Sequence, residues 1–278
     1  MRAPTALLDN AVWRRAGVTV GQRLVPEETA VAFSYDGGTY AVMMATPQDL
    51  GDFALGFSLT EGIVATAADI RQLDVVEFAA GVELRMWLAE PHAAALSERR
   101  RHVAGPTGCG LCGIETLTEA VRRPNAVADD STFTPAEIMS ALGALYDLQT
   151  INEMTHAVHG AAFYRRDEGM VALREDVGRH NALDKLAGAL ARHGIPGRGG
   201  VGIVTSRLSV ELVQKAAAIG IPVLVAVSVP TALAVRTAEA CGITLVAVAR
   251  KDGFEIFANR QRIQEQHAAQ EFIPNVLV

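Results

Sequence analysis

The chain has 278 residues, half of them apolar and a fifth charged, with a formal net charge of −6. This excludes a disordered chain and leaves room for one large domain or two ordinary ones, each able to bury a core. The negative balance argues against nucleic acid as a main partner, because basic charge supplies most of that affinity; SERRRH (97–102) is only a local basic patch.

The opening, MRAPTALLDNAVWRRAG, lacks an apolar core followed by a small-residue cleavage site, so no signal peptide is expected. TAVAFSYDGGTYAVMMAT (29–46) reads as a hairpin turning at Asp36-Gly37-Gly38. PQDLGDFALGFSLTEG (47–62) follows as a helix, opened by Pro47 and closed by Gly62. A second hairpin is expected over 73–89 around Gly81, then a short helix over 91–101 with a basic end. After the loop GPTGCGLCGIETL (105–117), Ile114, Leu117 and Val121 would line one face of another short helix.

RRPNAVADDSTFT (122–134) reads as a linker, dividing an N-terminal α+β unit (1–130) from a second domain (131–278). Thr134, Pro135 and Glu137 form a capping-box signature for a helix over 135–148. Strands at 159–165 and 169–176 come next. Helices (181–194, 209–220, 230–242) then alternate with strands (201–206, 222–228, 243–250), and a last strand covers 254–259. Near-continuous apolar strands between helices predict a three-layer α/β/α domain with a mixed, mostly parallel sheet covered on both faces. The most apolar run, 221–235, is interrupted by Pro222 and Pro230 and is too short to cross a bilayer, so no membrane partner is expected.

In open α/β sheets, ligands sit beyond the carboxyl ends of the strands. Those ends carry TSRLS (205–209), SVPT (228–231) and ARKDG (249–253). Ser206, Arg207, Ser228, Thr231 and Arg250, with helix N-termini, would suit an anionic ligand such as a nucleotide phosphate. The bland alternative is that Ser209 and Ser228 cap helices and the two arginines are solvated. No Walker A or G-x-G-x-x-G sequence is present. LREDVGRHNALDKL (173–186) crowds charge into a strand-to-helix turn, either as a capped helix start or as a ligand-binding turn containing His180 and Asn181.

Cys109 and Cys112 leave four readings open. A zinc site would need His156 and His159, more than forty residues away, and zinc deaminases carry an H-x-E absent before these cysteines. A thioredoxin-like redox pair fits poorly with Gly110-Leu111 between the cysteines and glycines on both flanks. Two buried thiols in a turn is the bland reading. The fourth is a mobile nucleophile or sulfur carrier, its thiol pKa lowered by the following helix N-terminus. Three cysteines are too few for a disulfide framework and suit a reduced, cytoplasmic setting; Cys241 reads as a packed small hydrophobe.

Several blocks taken together resemble the FdhD family: LGFSLTEGIV (55–64), GCGLCG (108–113), EDVGRHNALDKL (175–186), SRLSVELVQKAA (206–217), SVPTALAV (228–235) and GITLVAVAR (242–250). The resemblance implies a sulfur carrier that takes persulfide sulfur from a cysteine desulfurase. It would pass that sulfur to the molybdenum cofactor, a bis(molybdopterin guanine dinucleotide) handled as substrate, for formate dehydrogenase. Cys109 matches the persulfide cysteine and Cys112 its partner. The second domain would be cytidine-deaminase-like and would bind the guanine nucleotide, or a GDP-like stand-in, through Val248, Ala249, Arg250, Lys251, Asp252 and Gly253. A homodimer without an intrinsic metal is implied. His159 falls on the family's histidine, although Thr155-His156-Ala157-Val158-His159 replaces the family's T-G-G-V-H, and VAVAR lacks the Phe of its G-F-A-R. The alternative functions are a non-catalytic chaperone for the same cofactor and a zinc-containing nucleotide hydrolase or deaminase.

Overall fold

The computed structural model describes residues 2–94, 96 and 124–264. Two ten-residue strands, β1 (Thr5–Arg14) and β2 (Gly17–Pro26), pair as an antiparallel ribbon that joins no other strand among the described residues. The ribbon has no clear signature in the sequence. Its apolar residues show no alternation that survives Leu7-Leu8 and the Arg15-Ala16 turn.

The first core follows. β3 (Thr29–Tyr35) and β4 (Gly38–Ala45) form the expected hairpin, and β5 (Ile70–Phe78) and β6 (Gly81–Leu88) form the second. They make one sheet of order β4-β3-β6-β5, closed by a parallel β3–β6 pairing. Inward residues alternate along the strands: Val31, Phe33 and Tyr35, then Val82, Leu84 and Met86. They pack on α1 (Leu50–Thr60), whose Phe53 and Phe57 rings lie 4.9 and 4.4 Å from that of Phe33. The helix expected over 91–101 is helical at 92–94 and 96, after a turn at 91; residues 95 and 97–101 lie outside the described residues.

The second region is a three-layer α/β/α sandwich. α2 (Pro135–Leu148) starts at the expected capping box, with Thr134 Oγ1 accepting from the Glu137 N–H and the Glu137 carboxylate accepting from the Thr134 N–H. α3 (Thr150–Thr155) is a short helix that was not expected. The six-stranded sheet runs β12-β11-β10-β9-β7-β8, from β7 (His159–Arg165), β8 (Gly169–Asp176), β9 (Val201–Val204), β10 (Val223–Ala226), β11 (Thr244–Arg250) and β12 (Gly253–Ala258).

Within this sheet only the β9–β10 and β10–β11 pairings are parallel; the other three are antiparallel. The sheet is mixed as expected, but its parallel pairings are the minority, which corrects the expectation that most would be parallel. Both outer connections are tight turns, which force antiparallel neighbours, and β7 pairs antiparallel with β9. One face buries α4 (Arg179–Arg192), α5 (Val210–Ala218) and α6 (Ala232–Cys241); the other buries α2.

The two cores meet where α1 crosses α4, and two glycines set the distance. A Cβ on Gly56 would lie 1.7 Å from the Asp184 carbonyl oxygen; one on Gly188 would lie 1.8 Å from that of Asp52. Only glycine permits this approach. Ion pairs flank the crossing. The Arg174 and Arg192 guanidinium groups lie 2.7 and 2.9 Å from the Asp52 carboxylate. Lys185 Nζ is 2.6 Å from Asp176, with neither side chain exposed, and donates to the Thr46 carbonyl at 2.9 Å. Lys215 Nζ reaches Asp184, Glu61 and Thr60 at 2.9, 2.7 and 3.0 Å.

Candidate functional site

The parallel β9, β10 and β11 end at one edge of the larger sheet. β7 runs the other way, so its first residue, His159, lies at that edge opposite Asp176, the last residue of β8. The loops after β9 and β10 are clamped together. The Thr205 N–H donates to Gly160, the Val227 N–H to Val204 and the Thr231 N–H to Leu208; Leu208 and Pro230 form a parallel bridge. α4, α5 and α6 all begin there.

The structure brings most of the expected residues to this edge. Arg207 and Arg250 are exposed. A guanidinium nitrogen of Arg250 donates to the Val227 carbonyl, tying the end of β11 to the loop after β10. The Ser228 carbonyl accepts from the Val248 N–H at 3.2 Å. Thr231 caps α6, accepting from the Ala234 N–H at 3.2 Å. Ser206 is buried and its hydroxyl donates to the Arg207 carbonyl. Lys251 and Asp252 form the exposed turn before Gly253, which starts β12, and Ala249 is fully buried under α2. Ser209 is the N-cap of α5, but its hydroxyl meets His180 Nε2 at 3.4 Å instead of capping. Glu211 joins them, 3.9 Å from the same nitrogen.

Both histidines at the edge have depressed pKa values. Burial pushes His180 down to about 4, helped by the nearby cations Arg179 and Lys215. Burial, then Arg179, also lowers His159. Both are therefore neutral near neutral pH, each with one donor and one acceptor nitrogen. Burial alone would raise the Glu211 carboxyl, but the Ser209 hydroxyl and a backbone N–H outweigh it, and Glu211 stays below its ordinary value. Arg179 Nε and Glu211 Oε2 are buried without a hydrogen-bond partner among the described residues. Glu211 was not singled out in the sequence; its position in the first turn of α5 looks like ordinary helix-dipole complementation.

The polar block 175–186 divides in two. Most of it turns inward. Glu175 caps α3, accepting from the Ile151 and Asn152 N–H groups at 2.8 Å. Asp176 accepts from the N–H groups of Thr46 and Gly178 and from Asn181, besides its ion pair with Lys185. Asn181 is buried, and its amide also donates to the Met44 carbonyl. Asp184 accepts from Thr60 at 2.6 Å. Of the block's polar side chains, Arg179 and His180 alone remain partly exposed, and they lie at the edge. Cys109 and Cys112 lie outside the described residues. Among the described residues no His/Cys/Asp/Glu group could hold a metal ion.

The edge thus combines helix N-termini, exposed guanidinium groups and neutral imidazoles, which is chemistry for a phosphorylated ligand. A family model described as FdhD/NarQ matches residues 26–264. The chain belongs to the FdhD/NarQ family. A sulfur carrier protein FdhD from Agrobacterium fabrum is 55% identical over 251 residues, covering 90% of this chain and 93% of that one. The Brucella abortus protein of the same name is 52% identical, covering 91% and 94%. A crystal structure of a Desulfotalea psychrophila protein, named for a formate dehydrogenase accessory role, superposes with a TM-score of 0.75. It covers 94% of this chain and all of that one at 24% identity, which establishes the shared fold.

Proposed function

We propose that this protein is a sulfur carrier that loads sulfur onto Cys109 and delivers it to the molybdenum bis(molybdopterin guanine dinucleotide) used by formate dehydrogenase. The observation that carries this reading is the 55% identity to a sulfur carrier protein over nine-tenths of the chain. The sheet edge supports it by offering a cradle for the cargo's guanine nucleotide, with Arg207, Arg250 and the N-termini of α5 and α6 toward phosphate. In the loading step the Cys109 thiolate attacks the terminal sulfur of a desulfurase persulfide. A new S–S bond forms on Cys109, the donor's S–S bond breaks, and the donor leaves as a thiolate. For delivery, Cys112 attacks the Cys109 sulfur. This forms a Cys109–Cys112 disulfide and releases the terminal sulfur as hydrosulfide to the cargo; a thiol reductant then reopens the disulfide. The working form is a homodimer in the cytoplasm. An exposed apolar stripe on the β1–β2 ribbon, where Trp13 is 73% and Val20 86% exposed, suits burial against a second subunit.

The test is intact and native mass spectrometry after incubation with a cysteine desulfurase and cysteine. Wild type should gain one sulfur and fly at twice the chain mass; Cys109→Ala should not gain it. If Cys109→Ala still yields active formate dehydrogenase in a deletion strain, the protein acts as a cofactor chaperone and not as a carrier.

A further inference from the structure

Regular alternation along β11 stops at Val248. Leu245 and Ala247 pack in the layer of α4, α5 and α6, and Val246 packs in the layer of α2. Alternation would turn Ala249 back toward α4–α6. Instead Ala249 lies in the α2 layer, on the same side as Val246. The break coincides with a bulge, since Val248 and Ala249 together oppose the single residue Phe254 of β12, between the pairs Ala247–Glu255 and Arg250–Gly253. Val248 takes up the extra residue with φ +53°. This left-handed conformation is normally left to glycine at such a bulge and is a genuine outlier for a β-branched side chain. Its N–H is held by the Ser228 carbonyl.

We infer that Val248 is a positioning residue for the candidate nucleotide site: its left-handed bulge resets the strand so that Arg250 emerges on the face bearing the N-termini of α5 and α6. With Ala249 facing α2, the next residue must face the other way. By this alternation Arg250 takes the α4–α6 side, and its guanidinium donates to the Val227 carbonyl in the loop after β10. If Val248 were extended, Ala249 would point toward α4–α6 and the guanidinium would leave on the α2 side, away from both helix N-termini. Backbone strain of this kind persists only where the surrounding structure over-determines it, and it clusters at functional sites.

This inference rests on the nucleotide-binding reading above, and its test separates the two. GDP and guanosine affinities are measured by calorimetry for wild type, Arg250→Ala, Val248→Pro and Val248→Gly. Wild type should prefer GDP over guanosine at least tenfold; if it binds neither, the nucleotide reading itself fails. Val248→Pro cannot adopt positive φ and should lose the GDP preference to the same extent as Arg250→Ala while keeping its guanosine affinity. A folding defect would weaken both ligands together. Val248→Gly keeps the bulge at lower strain and should retain the preference within twofold with a raised Tm. A folded Val248→Pro protein that keeps the full preference overturns the inference.

A labelling measurement needs no change at 248. In a Cys109→Ser/Cys112→Ser background, the Arg250→Cys variant should react with a thiol reagent and be protected by GDP, whereas the Ala249→Cys variant should stay unreactive. The reverse pattern, with GDP-protected labelling of Ala249→Cys and none of Arg250→Cys, would equally overturn it.

Discussion

At the scale of single residues, burial decides what a charged side chain does, and burial is not written locally in the sequence. Glu175, Asp176, Asp184 and His180 look alike in the block EDVGRHNALD. The three acidic residues are consumed by partners from distant segments: the N-terminus of α3, the Thr46 N–H and Thr60. His180 faces the edge, where burial holds it down to about 4. The sign of its pH effect follows. A histidine depressed in the fold stabilises the protein above its unfolded value of about 6.5, and that contribution is lost as pH falls toward 4. Asp184 runs the opposite way. Burial, against the pull of Lys215, raises it to about 6, so its contribution is present in acid and is lost as pH rises from about 4 to 6. The two slopes cancel in part across this window. His180→Gln removes the histidine's contribution, so stability should gain less, or lose more, as pH rises from 4 to 6 than it does in wild type. Urea unfolding midpoints measured across that window test this; a slope no different from wild type would show that His180 titrates normally.

At the scale of elements, the sequence was legible wherever pattern and punctuation agreed. The hairpin at Asp36-Gly37-Gly38, the capping box at Thr134 and the β–α alternation after Gly200 all appear as read. The ribbon β1–β2 and the short helix α3 did not announce themselves. The ribbon is exposed on both faces over much of its length, so it shows no inward period, and α3 owes its start to Glu175, twenty-odd residues downstream. Strand order was illegible too, because local pattern does not specify which neighbour β7 takes. Gly56 and Gly188 were also silent in sequence, where each costs helix propensity without visible return. Their reason is the α1–α4 crossing. Gly188→Ala would place a methyl group against the Asp52 carbonyl, which is backbone and cannot swing aside. We expect a loss of about 3 kcal/mol in chemical denaturation, from overpacking that pushes the helices apart. Gly143→Ala, on α2 with open space around it, should instead be neutral or stabilising by a few tenths of a kcal/mol and serves as the control.

At the scale of the molecule, the crossing joins a core that begins with a β-hairpin to one built on a mixed sheet, and ion pairs flank the glycine contact that sets its distance. Lys215 is the central case. It sits on α5 in the second core and is nearly buried, yet two of its partners, Thr60 and Glu61, belong to the end of α1 and its cap in the first. Its third partner, Asp184, lies on α4 between them. Although burial disfavours its charge, Asp184 and then Glu61 outweigh this and push Lys215 up to about 12, so the ammonium persists at all ordinary pH. Removing one member of such a group costs more than the group is worth, because it strands the opposite charge. Lys215→Met should therefore destabilise by about 3–5 kcal/mol. Lys215→Met with Asp184→Leu should recover most of that loss, since no buried carboxylate remains and Glu61, about a quarter exposed, can turn to water. The same double variant removes the Lys215–Asp184 pair from the joint while the Asp52 and Lys185 pairs stay, and thus tests whether that pair fixes the approach of the two cores. If stability returns but the GDP preference of the sheet edge falls, the network orients the α4 and α5 N-termini that frame the site. If both return together, it only holds the cores in contact.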